Sequence, residues 1–215
     1  MSIRDILPFE KGIEKEKFEI LASTFIKEDY FWLVSDLKPN TTAIDIGAYI
    51  GDTALYFAMQ NMIKQVLAYE PYPKTFKELA ENIKNSKRKD KIKIFNQAVG
   101  KPGSNYKIAV NESTEEAYES LSEGGKQEIT VLGLDRILEE AHADNLIIKM
   151  NCEGGETFII DSGLDLKNVY KMQILVYTQF SSMRTLQQIL NAYGFQTRME
   201  PKKLPDLEWL YAWRP

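Results

Sequence analysis

Apolar residues recur along the chain in two rhythms, one of three to four residues and one of short unbroken or alternating runs. Phe18, Leu21 and Phe25, then Tyr30, Leu33, Val34 and Leu37, follow the first rhythm and predict one or two helices ahead of the first strand. The Tyr30-Phe31-Trp32 cluster reads as core or as cover for a sheet. Residues 43–46 follow the second rhythm, a β-branched run behind the turn-like Pro39-Asn40. Helical spacing returns after Gly51 with Ala54, Leu55, Ala58, Met59 and Met62. Further buried strands are predicted at 65–70, 92–99, 146–150 and 172–177. Pro71-Tyr72-Pro73 forces a turn, and the helix after it carries Phe76, Leu79, Ala80 and Ile83 on one face.

The remaining segments are weaker in pattern. Residues 104–110 and 128–132 alternate like exposed strands, and the polar, acidic stretch 111–126 between them predicts a mobile loop or lid. Helices are expected at 134–140, 156–162 and 183–193, the last ending before Gly194. Residues 195–199 and 207–213 form a candidate terminal hairpin.

Strands alternating with helices predict an α/β fold. We expect a doubly wound, Rossmann-like, mostly parallel seven-stranded sheet with helices on both faces and a C-terminal antiparallel hairpin. Residues 1–38 form an N-terminal helical segment and 39–215 one domain. In such a sheet a ligand sits beyond the carboxyl ends of the strands, where the strand order reverses. Three strand ends carry polar groups able to converge there: Asp45 to Gly51, Glu70, and Asn151 to Glu156.

Composition narrows the classes. With 44% hydrophobic and 27% charged residues the chain is an ordinary globular one. A net charge of −4 gives no general attraction to nucleic acid or to an anionic membrane. The basic run from Lys84 to Lys93 reads as a solvated connection. One cysteine, Cys152, excludes an intrachain disulfide and a cysteine-rich zinc site, and no metal site is expected. The first residues lack a basic stretch followed by an apolar core, and no apolar run approaches the roughly 18 residues that span a bilayer. A cytoplasmic location without membrane contact is expected.

The chemistry gathers around Gly47 and Gly51. A dinucleotide fingerprint needs glycines two and five positions after the first, where Tyr49 and Asp52 stand. Close approach to a pyrophosphate is therefore not expected. A ligand with a ribose and a charged amino-acid end fits better. Glu70, ending the second strand, is suited to accept hydrogen bonds from ribose hydroxyls. The order and spacing favour an adenosyl-type ligand.

The same residues resemble a known family, the FkbM-like group of class I S-adenosylmethionine-dependent methyltransferases. Asp45-Ile-Gly-Ala-Tyr-Ile-Gly51 is similar to that group's Asp-x-Gly-Ala-Asn-x-Gly loop. Ala68-Tyr-Glu-Pro-Tyr-Pro-Lys-Thr-Phe76 resembles its second motif, and Asn96 to Gly100 the stretch ending in Ala-Val/Leu-Gly. Leu132-Gly-Leu-Asp135 and Leu146-Ile-Ile-Lys149, followed by Glu153-Gly154 and Glu156, complete the series in family order. The resemblance implies S-adenosyl-L-methionine as cofactor and methyl transfer to a hydroxyl of a small molecule or saccharide. It implies cofactor contacts from Asp45, Gly47, Ala48, Tyr49, Gly51, Asp52 and Thr53, from Glu70, Pro71 and Tyr72 around the ribose, and from Asn96, Gln97 and Ala98 beside the adenine. Lys149, Asn151 and Glu153 are its candidates for catalysis.

The chain departs from the family where the acceptor proton must be removed. Asn151 and Cys152 stand where the family has Asp and Val, Tyr177 and Gln179 where it has Glu and His, and Tyr49 where its first loop has Asn. An alternative is therefore a cofactor-binding module without catalysis. A nicotinamide-dependent dehydrogenase shares the sheet but lacks the glycine spacing. His142 reads as a surface residue and Cys152 as packing. Lys149 either points into the cleft or pairs with a carboxylate, and Glu153 and Glu156 are either contacts for an acceptor or a metal, or carboxylates placed at a helix start for structural reasons.

Overall fold

The computed structural model describes residues 15–110, 127–152, 155–160, 163–202 and 206–215. Two helices, α1 (Lys15–Phe25) and α2 (Phe31–Val34), precede β1 (Thr41–Ile46). Then follow α3 (Asp52–Ala58), β2 (Ile63–Tyr69), α4 (Pro73–Asn85), β3 (Ile92–Phe95), β4 (Gln97–Gly100) and β5 (Asn105–Val110). The second half contains β6 (Gln127–Gly133), α5 (Leu134–Glu140), β7 (Leu146–Met150), α6 (Glu156–Ile159), β8 (Val169–Tyr177), α7 (Met183–Ala192), β9 (Gln196–Pro201) and β10 (Leu207–Trp213). The expected acidic loop 111–126 lies outside the described residues.

The main sheet has seven strands in the order β3-β2-β1-β7-β8-β10-β9. Its first five run parallel, and β10 and β9 join antiparallel. The expected doubly wound sheet and terminal hairpin are therefore present. The chain passes from β1 outward to β3, then returns on the other side of β1 as β7, so the order reverses between β1 and β7.

The strand expected over 92–99 is two strands, a correction with a local cause. The chain breaks at Asn96, whose side-chain amide donates to the carbonyls of Glu70 and Pro71, both at 2.9 Å. β3 stays in the main sheet, whereas β4 enters a second sheet of order β4-β6-β5. Asp135 anchors that second sheet by accepting from the Gly103 N–H with both carboxylate oxygens. The helix expected to run to Met62 ends at Ala58, and of the helix expected over 156–162 the segment Glu156–Ile159 is helical, while residues 161–162 lie outside the described residues.

Side chains alternate across the central strands with the period of two that a pleated sheet imposes. One face carries Ile44, Ile46, Ile148, Met150, Met172, Ile174 and Val176, packed under Leu134 and Ile137 of α5, Ile159 of α6, and Leu186 and Leu190 of α7. The other carries Ala43, Val66, Ala68, Ile147 and Leu175 under α3, α4 and the N-terminal helices. Tyr30 and Leu33 are part of that second core. Trp32 meets Tyr211 edge to face at 4.9 Å, so the aromatic cluster covers the sheet.

Candidate functional site

At the carboxyl end of β1 the chain turns sharply. Gly47 and Gly51 lie at φ 75° and 91°, and Tyr49 between them is a non-glycine residue at φ 49°. The Gly47 and Ala48 N–H groups both donate to the Tyr69 carbonyl at 3.0 Å, and Gly51 N–H donates to the Ala48 carbonyl. Both glycines answer to the protein's own interior. A Cβ on Gly47 would sit 1.9 Å from the Asn151 carbonyl oxygen, and one on Gly51 2.6 Å from Leu79 Cδ1.

Three of the turn's polar side chains point inward. Thr53 donates to Asp45 Oδ2. Asp52 is buried, accepts from the Thr24 hydroxyl of α1, and is pushed up to about 6, chiefly by that burial. Burial, then the neighbouring Asp52, Asp45 and Asp29, push the Tyr30 phenol well above its ordinary range. Ala48 is fully buried as well.

Lys149 pairs with a carboxylate rather than pointing into the cleft. Its Nζ lies 2.9 Å from Asp45 Oδ1, and the two side chains are 3% and 0% exposed. The approach to Oδ1 is not aligned as a hydrogen bond; the ammonium instead donates to the carbonyls of Gly47 and Ile46. Gln173, in register with Lys149 on β8, continues this buried polar row and donates to the Asp29 carbonyl. Its Oε1 has no partner.

Glu70, at the end of β2, is 3% exposed. Its Oε2 accepts from Tyr49 N–H at 2.8 Å, and its Oε1 from Tyr72 N–H at 2.9 Å and the Thr75 hydroxyl at 2.8 Å. Burial raises its carboxyl, and these three donors oppose the shift. A carboxylate has about four acceptor positions, so one remains. Asn96 ties Pro71 into the same corner, and half-buried Gln97 and Ala98 continue from it as β4.

At the ends of β7 and β8 the structure is less closed. Asn151 donates its backbone N–H to the Ile46 carbonyl, and its buried Oδ1 has no partner. Glu153 lies outside the described residues. Glu156 is fully buried and accepts from the Ser181 hydroxyl at 2.8 Å, tying the segment after β7 to the turn after β8. Cys152 Sγ lies 3.6 Å from Glu156 Oε1. Half-buried Tyr177 ends β8, and Gln179 donates to Asp206 across the turn. His142 is exposed. Among the described residues no group of three or more metal-ligating side chains comes together.

The turn after β1, Glu70 and the corner at Asn96 thus meet through direct hydrogen bonds, whereas Asn151 reaches the turn through its backbone. Thr24, Gln173 and Ser181 were not singled out from sequence. Gln173 alone had a signal, a polar residue in an apolar strand, in phase with Lys149.

A profile of the methyltransferase FkbM domain matches residues 45–197. Among curated proteins nothing matches. Solved structures do resemble this one. A methyltransferase FkbM from Methylobacillus flagellatus KT superposes with a TM-score of 0.58 at 17% identity, covering 83% of this chain and 46% of its own. M. capricolum TrmK, bound to S-adenosyl-homocysteine, gives 0.52 at 14% identity over 86% of this chain and 66% of its own. Streptococcus pneumoniae Sp1610, in complex with S-adenosyl-L-methionine, gives 0.53 at 16% identity over 94% and 73%. These identities speak for the fold, and the chain spans less than half the length of the first of these structures. The profile match covers well over half of the sequence, and the chain belongs to the methyltransferase FkbM domain family.

Proposed function

We propose that this protein is an S-adenosylmethionine-dependent methyltransferase acting on a hydroxyl oxygen of a small molecule or saccharide. The observation that carries the reading is the contact between turn and strand end: Tyr49 N–H on Glu70 Oε2 sets the β1 turn and the β2 carboxylate as two walls of one corner. Family membership supports the methyl-transfer class. The donor set fits the cofactor in kind, with a free acceptor position on Glu70 for one ribose hydroxyl and half-buried Asn96 to Ala98 beside it.

Bound S-adenosylmethionine would be held by the β1 turn and Glu70 and would supply an electrophilic methyl group for an acceptor oxygen. The protein's contribution is alignment and exclusion of water. Glu70 holds the turn and takes a ribose hydroxyl. Asp45, fixed by Thr53 and Lys149, keeps the strand end in place. Asn151 cannot remove a proton, and Glu156 is committed to Ser181. These two observations favour one alternative, a cofactor-binding module without turnover.

Calorimetry with S-adenosylhomocysteine tests the cofactor, and no binding at millimolar concentration sinks it. Glu70→Ala is expected to weaken binding by about 1–3 kcal/mol; unchanged affinity removes Glu70 from the site. Turnover against a panel of sugars, small alcohols and tRNA separates enzyme from binding module. The tRNA arm is included because Sp1610 is described as a candidate tRNA methyltransferase, although the net charge of −4 argues for the other two.

A further inference from the structure

Lys149 is the one buried ammonium in the central rows of the main sheet, and burying it has to be offset by partners. An ion pair with Asp45 alone is a poor reason for it, because two buried charges repay their desolvation weakly. Its hydrogen bonds indicate more. The ammonium reaches three successive residues at the point where β1 becomes the turn: Asp45, Ile46 and Gly47. The Gly47 carbonyl and the Ala48 N–H belong to one peptide plane. Lys149 holds the first, and the Tyr69 carbonyl accepts from the second at 3.0 Å. The plane is thus held at both ends, next to a glycine at φ 75° that has no Cβ to restrict it. The next peptide in the turn carries Tyr49 N–H, which donates to Glu70 Oε2 at 2.8 Å.

We propose that Lys149 is a positioning residue that sets the Gly47–Ala48 peptide, and through it the β1 turn, for the cofactor; this rests on the S-adenosylmethionine reading. A lysine suits the task, offering three donors and no acceptor.

The test compares Asp45→Asn with Asp45→Asn/Lys149→Met, which removes the ammonium without leaving a carboxylate unpaired. Positioning by Lys149 predicts at least tenfold weaker S-adenosylhomocysteine binding in the double variant than in Asp45→Asn. Amide exchange at Ala48 and Tyr49 should accelerate at least tenfold, while that of Ile148 within β7 stays the same. Equal affinities, or equal exchange at Ala48 and Tyr49, overturn the proposal while wild-type binding keeps the cofactor reading intact. Wild-type protein that binds no S-adenosylhomocysteine overturns both. The reciprocal measurement needs no variant. Ligand that depends on the clamp must also tighten it, so saturating S-adenosylhomocysteine should slow proton exchange of the 15N-labelled Lys149 ammonium about tenfold in wild type, and an unchanged rate overturns the proposal.

Discussion

The two faces of the central sheet are built from alternate residues of the same strands, yet they differ in kind. Ile44, Ile148 and Met172 look onto a core of mainly aliphatic side chains. Asp45, Lys149 and Gln173, one residue further along each strand, look onto the face covered by Thr24 to Tyr30. The apolar face holds the sheet together by area. The polar face adds direction: its hydrogen bonds end on the carbonyls of Ile46, Gly47 and Asp29 and fix where the β1 turn and the N-terminal segment lie. Polar residues inside a parallel strand are therefore found here where a backbone must be aimed rather than merely buried.

The largest effect comes from giving the apolar face a charge. Ile148→Lys buries a cation with no carboxylate opposite, and urea denaturation should show a loss of about 3–5 kcal/mol or failure to fold. Lys149→Met, on the polar face, strands Asp45 and should cost a similar 3–5 kcal/mol, of which Asp45→Asn/Lys149→Met recovers most. Recovery in the double variant is what distinguishes the two faces, since no second substitution of an existing charge relieves Ile148→Lys.

A pH-dependent effect comes next. The Asp52 carboxyl is raised to about 6 from 3.8, so the folded state holds its proton more tightly than the unfolded state. The sign follows: wild type loses stability relative to Asp52→Asn as pH rises from about 4 to about 6, and the gap stays constant above that. A shift of that size corresponds to at most about 3 kcal/mol. Parallel denaturation curves for the two proteins across this window would remove the buried charge from the account. Smaller still is Thr24→Val, which takes the hydroxyl from Asp52 and is expected to cost about 1–2 kcal/mol, read as a lowered urea midpoint.

Local pattern made β1, β2, β7 and the helix after Gly51 readable, because each is fixed by its own apolar rhythm. In the terminal hairpin β10 was readable for the same reason, whereas β9 is largely polar and exposed. The break at Asn96 was not readable, since strand-forming residues stand on both sides of it from Ile92 to Val99 and the cause is the hydrogen bonding of its side chain to Glu70 and Pro71. In the site, Glu70 and the two glycines stood out by spacing. The reason Gly47 must be glycine did not, because it is the carbonyl of Asn151 on another strand. Gln173 reaching Asp29, 144 positions away, is equally invisible to any local window. Asp135 appeared as a signature residue, and its visible task is the turn at Gly103.

We propose that the β1 turn and the end of β2 form one cofactor corner. Amide chemical shifts of the wild-type protein, followed during titration with S-adenosylhomocysteine, test it most directly. The account predicts saturable changes concentrated at Gly47 to Thr53, Glu70, Tyr72 and Asn96 to Ala98. Changes centred elsewhere, or none up to millimolar ligand, would contradict it.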